Sequence, residues 1–249
     1  MTAASPHIQR GGFADLVSIV VPTYREAENL PALVGRIAAA MAPLARSYEI
    51  VVVDDDSRDG TDRVIADLVA ASRPVRLITR VGQRGLSSAV LHGFGEARGQ
   101  ALVCMDADLS HPPEAIPRLL ACLAEPGVDF ALASRYVPGG STDQRWGLLR
   151  WLNSKAAALL ARPFVKVRDP MSGFFALPQA VLSRAADLSP VGYKIGLELM
   201  VKCGCRHIRE VPIHFALREC GRSKLTLIEQ VNYLRHIRRL AVYKLRAAL

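Results

Sequence analysis

The stretch ALVCMDAD, residues 101–108, decides the fold. Its first five residues are apolar without alternation, which is typical of a strand that helices cover on both faces. Two carboxylates follow at once, Asp106 and Asp108. A buried parallel strand with acids at its carboxyl end predicts an open α/β sheet whose ligand site lies at that edge.

The same pattern recurs on both sides of this stretch. Further apolar runs predict strands at 17–21, 49–53, 75–79 and 130–134. Between them, Leu, Val, Ile and Ala recur with helical spacing at 29–45, 59–72, 86–98 and 114–124. Strands that alternate with helices are typical of a doubly wound α/β fold. We therefore expect a Rossmann-like, mostly parallel sheet with helices on both faces.

The alternation stops after residue 135. The remaining pattern predicts helices at 147–161 and 195–203, strands at 174–177 and 208–215, and a long helix at 225–249. No linker of low complexity divides the chain further. We expect a leader at 1–13, one α/β domain at 14–224, and the C-terminal helix as a separate element.

The composition excludes several classes of protein. Half of the 249 residues are hydrophobic and 22% are charged, which is typical of a globular chain. No apolar run reaches the ~18 residues of a membrane-spanning helix. The five cysteines include no C-x-x-C pair, which indicates reduced thiols rather than a disulfide scaffold or a zinc site. The net charge of +9 indicates an anionic partner: nucleic acid, a phosphorylated small molecule or a membrane surface.

Asp106 and Asp108 are the sharpest local signal. In an extended backbone, side chains two residues apart point to the same side. Paired carboxylates so placed can hold Mg²⁺ or Mn²⁺, which then bridges to substrate phosphates. The alternative is that both acids are turn residues or caps before the next helix. We interpret His111, which follows them, as a structural histidine in the turn rather than a ligand.

Three consecutive acids, Asp54, Asp55 and Asp56, follow the second predicted strand. Three like charges cannot all be buried without partners. An acid at the end of a second strand often bonds a base or ribose in nucleotide-binding sheets, so we expect that role for one of the three. The alternative is that Asp56 and Ser57 cap the next helix. The chain has neither a phosphate-binding P-loop motif nor the glycine spacing of a dinucleotide fingerprint.

These strand ends resemble family-2 glycosyltransferases of the GT-A fold, and most closely the dolichol-phosphate (polyprenyl-phosphate) mannosyltransferase group. Seven segments carry the resemblance in the family's order: VVPTYREAENL (20–30), VDDDSRDGT (53–61), RGLSSAVLHGF (84–94), MDADLSHPPE (105–114), ASRYVPGG (133–140), DPMSGFFAL (169–177) and EVPIHFALRECGRSKL (210–225). Arg25, Ser110 and Phe175 depart from residues frequent in the family, which bears on substrate selectivity more than on the reaction. The resemblance makes 14–224 the glycosyltransferase domain.

The resemblance implies that mannose passes from GDP-mannose to the phosphate of a polyprenol, with inversion at the anomeric carbon and with Mg²⁺ or Mn²⁺ as cofactor. It assigns catalysis to Asp108, Arg135, Arg150 and Arg218. It assigns the donor nucleotide to Pro22, Tyr24, Glu26, Asp55 and Asp106, with Asp106 and Asp108 as metal ligands. It assigns the acceptor phosphate to Arg150, Ser154, Arg218, Ser223 and Lys224.

Three alternatives stay open. The first is a polyprenyl-phosphate glucosyltransferase that uses UDP-glucose. The second is a polysaccharide synthase, which is disfavoured because TDQRW at 142–146 lacks Gln where a Q-x-x-R-W signature requires it. The third is a non-catalytic basic protein that binds nucleic acid. An aromatic content of 6% and the lack of an RNA-binding signature disfavour it, so we expect no nucleic-acid partner.

The C-terminal helical pattern predicts attachment to an anionic membrane surface. Residues 222–249 carry seven basic residues against Glu229, which is +6 of the chain's +9. An apolar stripe recurs at spacings of three or four: Leu227, Val231, Leu234, Ile237, Ala241 and Leu245. A basic amphipathic helix can lie along anionic headgroups, and Trp146 and Trp151 favour the same interface.

We therefore expect a peripheral protein on the cytoplasmic face of a membrane. One alternative is that the C-terminal stripe packs on the sheet and the basic face is solvated. Another is that the helix docks to a small membrane-anchored partner subunit.

Overall fold

The computed structural model describes residues 16–143, 148–185, 187–189, 192, 194–216 and 227–247, and for 148–154, 227–229 and 247 it describes the backbone. The predicted leader at 1–13 lies outside these residues. The strands are β1 (Leu16–Thr23), β2 (Ser47–Asp54), β3 (Val75–Thr79), β4 (Ala101–Cys104), β5 (Phe130–Ser134), β6 (Ser141–Thr142), β7 (Phe175–Pro178), β8 (Ile208–Pro212) and β9 (His214–Phe215).

The helices alternate with the strands as the sequence predicts. They are α1 (Leu30–Met41), α2 (Thr61–Ala70), α3 (Leu86–Glu96), α4 (Ile116–Leu123), α5 (Leu148–Ala161), α6 (Gln179–Leu182), α7 (Ile195–Lys202) and α8 (Leu227–Ala247). Short 3₁₀ turns lie at Ala42–Leu44 and Pro113–Ala115. The first helix ends before the predicted residue 45, because Pro43 lacks the N–H that a longer helix would need.

Seven strands form one sheet in the order β3-β2-β1-β4-β7-β5-β8. Strand β7 runs antiparallel to both of its neighbours, and the other pairs of this sheet are parallel. The sheet is thus mostly parallel, as predicted. The predicted strand at 208–215 is divided, because the chain leaves the main sheet after Pro212 and β9 pairs with β6 in a second, two-stranded sheet.

The sheet has a hydrophobic core on each face. Ile19 packs in the first core with residues of α1, α2 and α4, and its neighbour Val20 packs in the second core with residues of α3, α5, α7 and α8. Both side chains are fully buried. This two-sided burial explains why the strands are apolar at every position, and it confirms helices on both faces.

Helix α8 packs on the second core, but the face that it buries is only partly the one that the sequence predicts. Tyr233, His236 and Leu240 are buried, and the Tyr233 hydroxyl donates to the Ala157 carbonyl of α5 at 2.6 Å. From the predicted stripe, Leu234 is 56% exposed and Leu245 is 68% exposed. Val231 is exposed as well, whereas Ile237 packs against the second core, so the predicted stripe is divided between solvent and the sheet. No helix among the described residues is long and apolar enough to cross a bilayer.

The four described cysteines, Cys104, Cys122, Cys203 and Cys205, are free thiols. Burial raises the pKa of Cys203 to about 11 and that of Cys205 to about 12. Both thiols therefore stay protonated at neutral pH, when a thiol is a poor nucleophile and a poor metal ligand.

Candidate active site

The carboxyl ends of β1, β2 and β4 meet at one edge of the sheet. In these parallel pairs, Thr23 lies opposite Asp54, and Val20 lies opposite Cys104. The polar segments that follow the three strands therefore leave the sheet at the same edge. This edge carries all the predicted donor and metal residues: Pro22, Tyr24, Glu26, Asp55, Asp106 and Asp108.

The two acids after β4 have unlike surroundings. The Asp106 side chain is 24% exposed, whereas Asp108 is buried. One Asp108 oxygen accepts hydrogen bonds from the backbone N–H and the hydroxyl of Ser110, at 3.1 and 2.5 Å. Leu109 between them has φ +61°, so the chain bends here instead of continuing as a strand. Ser110, a departure from the family's pattern, thus orients the second acid.

The donor set at 106 and 108 fits a hard divalent cation. Among the described residues, no three His, Cys, Asp or Glu side chains form a metal-binding group, so a cation here would take its other ligands from substrate or water. Mg²⁺ is commonly held in this way, by one or two carboxylates and the substrate's phosphates. A glycine, Gly173, faces Asp106, and a Cβ there would stand 3.6 Å from both carboxylate oxygens. The missing side chain leaves space in front of Asp106.

His111 has the structural role that we predicted. Its ring is buried between Phe174 and Phe215, with both ring centroids 5.3 Å away. Its Nδ1 accepts a hydrogen bond from the backbone N–H of Asp106 at 3.1 Å, which places the ring proton on Nε2 in the neutral form. The histidine therefore fixes the backbone that carries the exposed acid.

Arg135 is held rigidly beside this edge. Its Nε and Nη2 each donate to Asp169 at 2.7 Å, and its backbone N–H donates to the same carboxylate at 3.0 Å. Burial lowers the pKa of Arg135, but the bonds to Asp169 and the charge on Asp106 raise it more. The guanidinium thus stays charged. Its planar fork matches the oxygens of a carboxylate or phosphate.

Asp169 and Glu210 support Arg135, and the sequence analysis assigned neither a role. Asp169 is fully buried, and its own N–H and that of Arg168 donate to the Glu210 carboxylate. The resemblance quoted their segments, DPMSGFFAL and EVPIHFALRECGRSKL, as family signatures. The signal was therefore present, but pairing them needs the fold, because the residues are far apart in sequence.

Asp55 is fixed by a residue that sequence reasoning missed. Arg80, also buried, donates to Asp55 through Nε at 2.7 Å, and the Gly85 N–H donates to the other carboxylate oxygen at 2.9 Å. Gly85 has φ +141°, which favours glycine. Asp55 therefore ties the loop before α3 to the end of β2.

The other two acids of the triplet have separate partners. Asp54 accepts from the Ser57 N–H at 2.9 Å and from its hydroxyl. Asp56 pairs with Arg58 at 2.8 Å on the surface. Asp55 and Asp56 thus each have a cationic partner, whereas Asp54 is held by hydrogen bonds from Ser57. Neither Asp56 nor Ser57 caps α2. The acid that binds the start of α2 is Asp59, which accepts from the Thr61 N–H and hydroxyl.

Tyr24 and Glu26 lie where the donor nucleotide is expected. The Arg84 guanidinium lies over the Tyr24 ring, 4.3 Å from its centroid. Glu26 accepts from the Asn29 amide at 2.6 Å. Near the same edge, the Thr23 and Ser87 hydroxyls are buried and have no hydrogen-bond partner among the described residues. Unsatisfied buried hydroxyls are rare and are explained when a ligand bonds to them.

The predicted acceptor residues are less completely described. The backbone of Arg150 and Ser154 lies in α5, as predicted. Arg218, Ser223 and Lys224 lie outside the described residues. The geometry of the acceptor side thus stays a prediction.

Comparison with known proteins supports the sequence resemblance. A family model described as glycosyl transferase family 2 matches residues 18–185. A dolichol-phosphate mannosyltransferase of Saccharomyces cerevisiae is 42% identical over 235 residues, which are 91% of this chain and 87% of the relative. One of Pyrococcus furiosus is 46% identical over 90% of this chain. The chain spans 63% of the length of that second relative, which is less than two thirds.

A solved structure shares the architecture. A mannosyltransferase from Pyrobaculum calidifontis, in complex with GDP-Man and Mn²⁺, superposes with a TM-score of 0.67 over 95% of this chain and 66% of the other chain. The sequence identity is 18%, so the likeness shows the fold and nothing finer. The predicted GT-A architecture is confirmed.

Proposed function

The chain belongs to glycosyl transferase family 2, and we propose that it transfers mannose from GDP-mannose to the phosphate of a polyprenol, with inversion at the anomeric carbon. The observation that carries the proposal is the similarity to named enzymes. Relatives that are 40–46% identical over at least 84% of this chain are named dolichol-phosphate mannosyltransferase or polyprenol monophosphomannose synthase. The acidic edge of the sheet and the adjacent Arg135 carry groups that suit this reaction.

The donor nucleotide would bind at the edge formed by β1, β2 and β4. Pro22, Tyr24, Glu26 and Asp55 lie at the ends of β1 and β2, where the nucleoside is expected. The buried hydroxyls of Thr23 and Ser87 would gain partners from the bound nucleotide. Asp106 and Asp108 would hold Mg²⁺ or Mn²⁺ on the diphosphate. A cation held by these two acids would supply positive charge to offset that of the departing diphosphate.

The acceptor needs cationic groups rather than a strong base, because a polyprenyl phosphate is already an anion. The chief difficulty is to bring two anionic groups together at one carbon. Arg135 is permanently charged and is held beside Asp106, so it can orient a phosphate without moving. The acceptor phosphate would be oriented by polar and basic residues that the family resemblance assigns to it. These are Arg150, Ser154, Arg218, Ser223 and Lys224.

The enzyme would act at the cytoplasmic face of a membrane, where the lipid acceptor keeps its tail in the bilayer. Helix α8 supports this proposal, because it buries one face on the core and exposes Val231, Leu234, Val242 and Leu245 on others. Arg235, Arg238, Arg239 and Arg246 belong to the same helix. Exposed apolar and basic side chains on one helix are suited to an anionic bilayer surface. A small membrane-anchored partner is the alternative occupant of this helix.

An activity assay tests the reaction. Radiolabelled GDP-mannose and a short polyprenyl phosphate are incubated with Mn²⁺ or with EDTA, and UDP-glucose is added as a competing donor. We expect a radiolabelled lipid product that requires the cation and that excess UDP-glucose does not suppress. Transfer of glucose from UDP-glucose at the greater rate would make the chain a glucosyltransferase instead.

The Asp108→Asn variant tests the metal assignment in the same assay. The change keeps the side chain's size and removes its charge, so we expect turnover to fall at least ~100-fold. Asp62→Asn is the matched control, because Asp62 is an exposed acid in the first turn of α2. Turnover of Asp108→Asn close to that of the control would show that Asp108 holds no catalytic cation.

Liposome flotation tests the membrane assignment. The double variant Leu234→Ser/Leu245→Ser removes two exposed apolar side chains of α8, and Val69→Ser/Val81→Ser removes two exposed ones elsewhere. We expect wild type and the control to float with anionic vesicles at low salt, and the α8 variant to float less. Binding should weaken towards 1 M salt, where the screening length shortens to ~3 Å. If the wild type does not float, a membrane-anchored partner must supply the attachment.

A further inference from the structure

A cavity of about 520 Å³ lies beside α5. One wall of the cavity is formed by one face of α5 and the residue that follows this helix. The lining residues of this wall are 155, 158, 159 and 162, whose spacing of three or four places them on the same side. The turn after α5 lines another wall through 165–168, and Tyr136 closes the side towards Arg135.

Among the residues that the structure describes, the lining of the cavity has four cationic side chains and no acid. They are Lys155, Arg162, Lys166 and Arg168. Lys155 lies over the Tyr136 ring, 3.7 Å from its centroid. Among the described residues, no carboxylate forms an ion pair with Arg162, Lys166 or Arg168. Like charges gathered around one concave space disfavour each other, and a bound anion would relieve that repulsion.

This arrangement differs from that of the arginines at the sheet edge. Arg80 and Arg135 each bind a buried carboxylate, which fixes the position of their charges. The side chains of Arg162, Lys166 and Arg168 line the cavity and are exposed. They are placed to meet an anion from solution or from a surface.

We propose that this cavity is a second phosphate site, which binds the headgroup of an anionic bilayer lipid while the acceptor lipid reacts at the sheet edge. The geometry of the neighbouring apolar groups favours a lipid over a free phosphate. Leu159 lines the cavity and is 59% exposed, and Leu160 beside it is exposed as well. A headgroup bound to the cations would bring its acyl chains to these leucines.

Helix α8 reaches the same part of the surface. The Lys244 ammonium donates to the carbonyls of Pro163 and Phe164, in the turn between Arg162 and Lys166. The exposed Leu245 follows Lys244 directly. The basic cavity and the exposed end of α8 therefore border one turn, and both can face one bilayer. The cavity extends the proposed membrane attachment, but it does not depend on which sugar the enzyme transfers.

The test is vesicle binding by a charge-matched pair of variants. Arg162→Gln/Lys166→Gln removes two cations of the cavity, and Arg63→Gln/Arg73→Gln removes two exposed cations on the opposite face of the sheet. Co-sedimentation is measured with vesicles of phosphatidylcholine alone and of phosphatidylcholine mixed with phosphatidylglycerol. We expect the cavity variant to bind the mixed vesicles about 25-fold more weakly than wild type, since each basic residue near an anionic surface strengthens binding about fivefold.

Two further measurements identify the source of the phosphate. Calorimetry with glycerol 3-phosphate reports binding of a soluble phosphate, and the KM for a short polyprenyl phosphate in detergent reports the acceptor site. We expect the cavity variant to keep the wild-type KM. Thermal unfolding checks that both variants are folded. The substitutions are at exposed positions, so we expect the melting temperature to stay close to that of wild type.

Three results would overturn the proposal. Equal losses of vesicle binding in the two variants would mean that the overall surface charge attracts the vesicles and that the cavity is not a specific site. Loss of glycerol 3-phosphate binding with unchanged vesicle binding would make the cavity a site for free phosphate. A raised KM for the polyprenyl phosphate with unchanged vesicle binding would make it part of the acceptor site.

Discussion

Two buried ionic clusters differ in how completely their groups are paired. At the sheet edge, the Arg135 guanidinium binds both oxygens of Asp169, and Glu210 accepts from the backbone that carries Asp169. Beneath α8, Glu198 pairs with Lys202 at 2.7 Å, and His236 lies 3.9 Å from Glu198. In this second cluster, Glu198 Oε2 and His236 Nε2 are buried and have no hydrogen-bond partner within the part of the chain that the structure describes.

The difference indicates different roles for the two clusters. A fully bonded pair such as Arg135–Asp169 fixes the position of a charge, which a phosphate-binding site needs. The cluster of Glu198, Lys202 and His236 joins α7 to α8 with bonds left unmade, and buried polar atoms without partners reduce stability. The reaction edge is therefore expected to be rigid, whereas the packing of α8 is expected to respond to conditions.

The largest expected effect comes from breaking the complete cluster. Asp169→Ala leaves the buried Arg135 charge without its partner, and removal of one member of a buried pair costs about 4 kcal/mol of unfolding free energy. Urea unfolding measures the loss, and mannosyl transfer should fall with it. The control is Asp56→Asn, which breaks a surface pair with the exposed Arg58.

We expect the control to unfold at nearly the wild-type urea concentration, because exposed ion pairs contribute little. Equal stability of Asp169→Ala and wild type would show that Arg135 does not depend on Asp169. In that case the completely paired cluster would contribute no more to stability than the incompletely paired one.

A smaller effect is expected from breaking the incomplete cluster. Glu198→Gln leaves Lys202 buried without its counter-charge, but the Lys202 ammonium keeps its bond to the Asp187 carbonyl at 2.6 Å. Because that bond remains, we expect the free energy of unfolding in urea to fall by only about 2 kcal/mol, the contribution of one hydrogen bond to a charged group. The double variant Glu198→Leu/Lys202→Met replaces the pair with apolar side chains of similar size. It should lie within about 1 kcal/mol of wild type, since such replacements are often neutral. A double variant less stable than Glu198→Gln would mean that the pair itself stabilises the fold.

The order of strands and helices could be predicted from the sequence because burial on both faces of the sheet leaves an unbroken apolar signal. Strands β3 and β5 have the predicted bounds, and β4 ends one residue early, at Cys104. The direction of β7 could not be predicted, because an apolar run of four residues looks alike in either orientation. Its antiparallel pairing depends on where the chain returns after α5.

The acids at the sheet edge could be predicted for a related reason, since they directly follow recognisable strands. The residues that hold these acids and Arg135 in place could not be predicted. Arg80 and Asp169 lie 25 and 34 residues from the side chains they bind, and only the folded chain brings them together. The face of α8 was predicted from apolar residues alone. The buried face instead uses Tyr233 and His236, whose polar atoms hide them from a hydrophobic pattern.

The smallest expected effect is a pH dependence that only the α8 cluster should show. Burial lowers the pKa of His236, with Lys202 and Arg239 acting in the same direction and Glu198 opposing them. In the unfolded chain this histidine titrates near its ordinary value of about 6.5. Below that pH the unfolded state binds a proton that the folded state resists, so the free energy of unfolding falls with decreasing pH.

Urea unfolding of wild type, His236→Gln and His92→Gln between neutral and mildly acidic pH measures this effect. His92 is exposed on α3, so His92→Gln is the control for replacing an imidazole ring by an amide. We expect wild type and His92→Gln to lose stability alike as the pH falls through the histidine range, and His236→Gln to lose less. Because Gln does not titrate there, the difference isolates the ring beneath α8. The same slope in all three proteins would mean that His236 gains its proton as easily folded as unfolded, and that the incomplete cluster is no more sensitive to pH than Arg135 and Asp169.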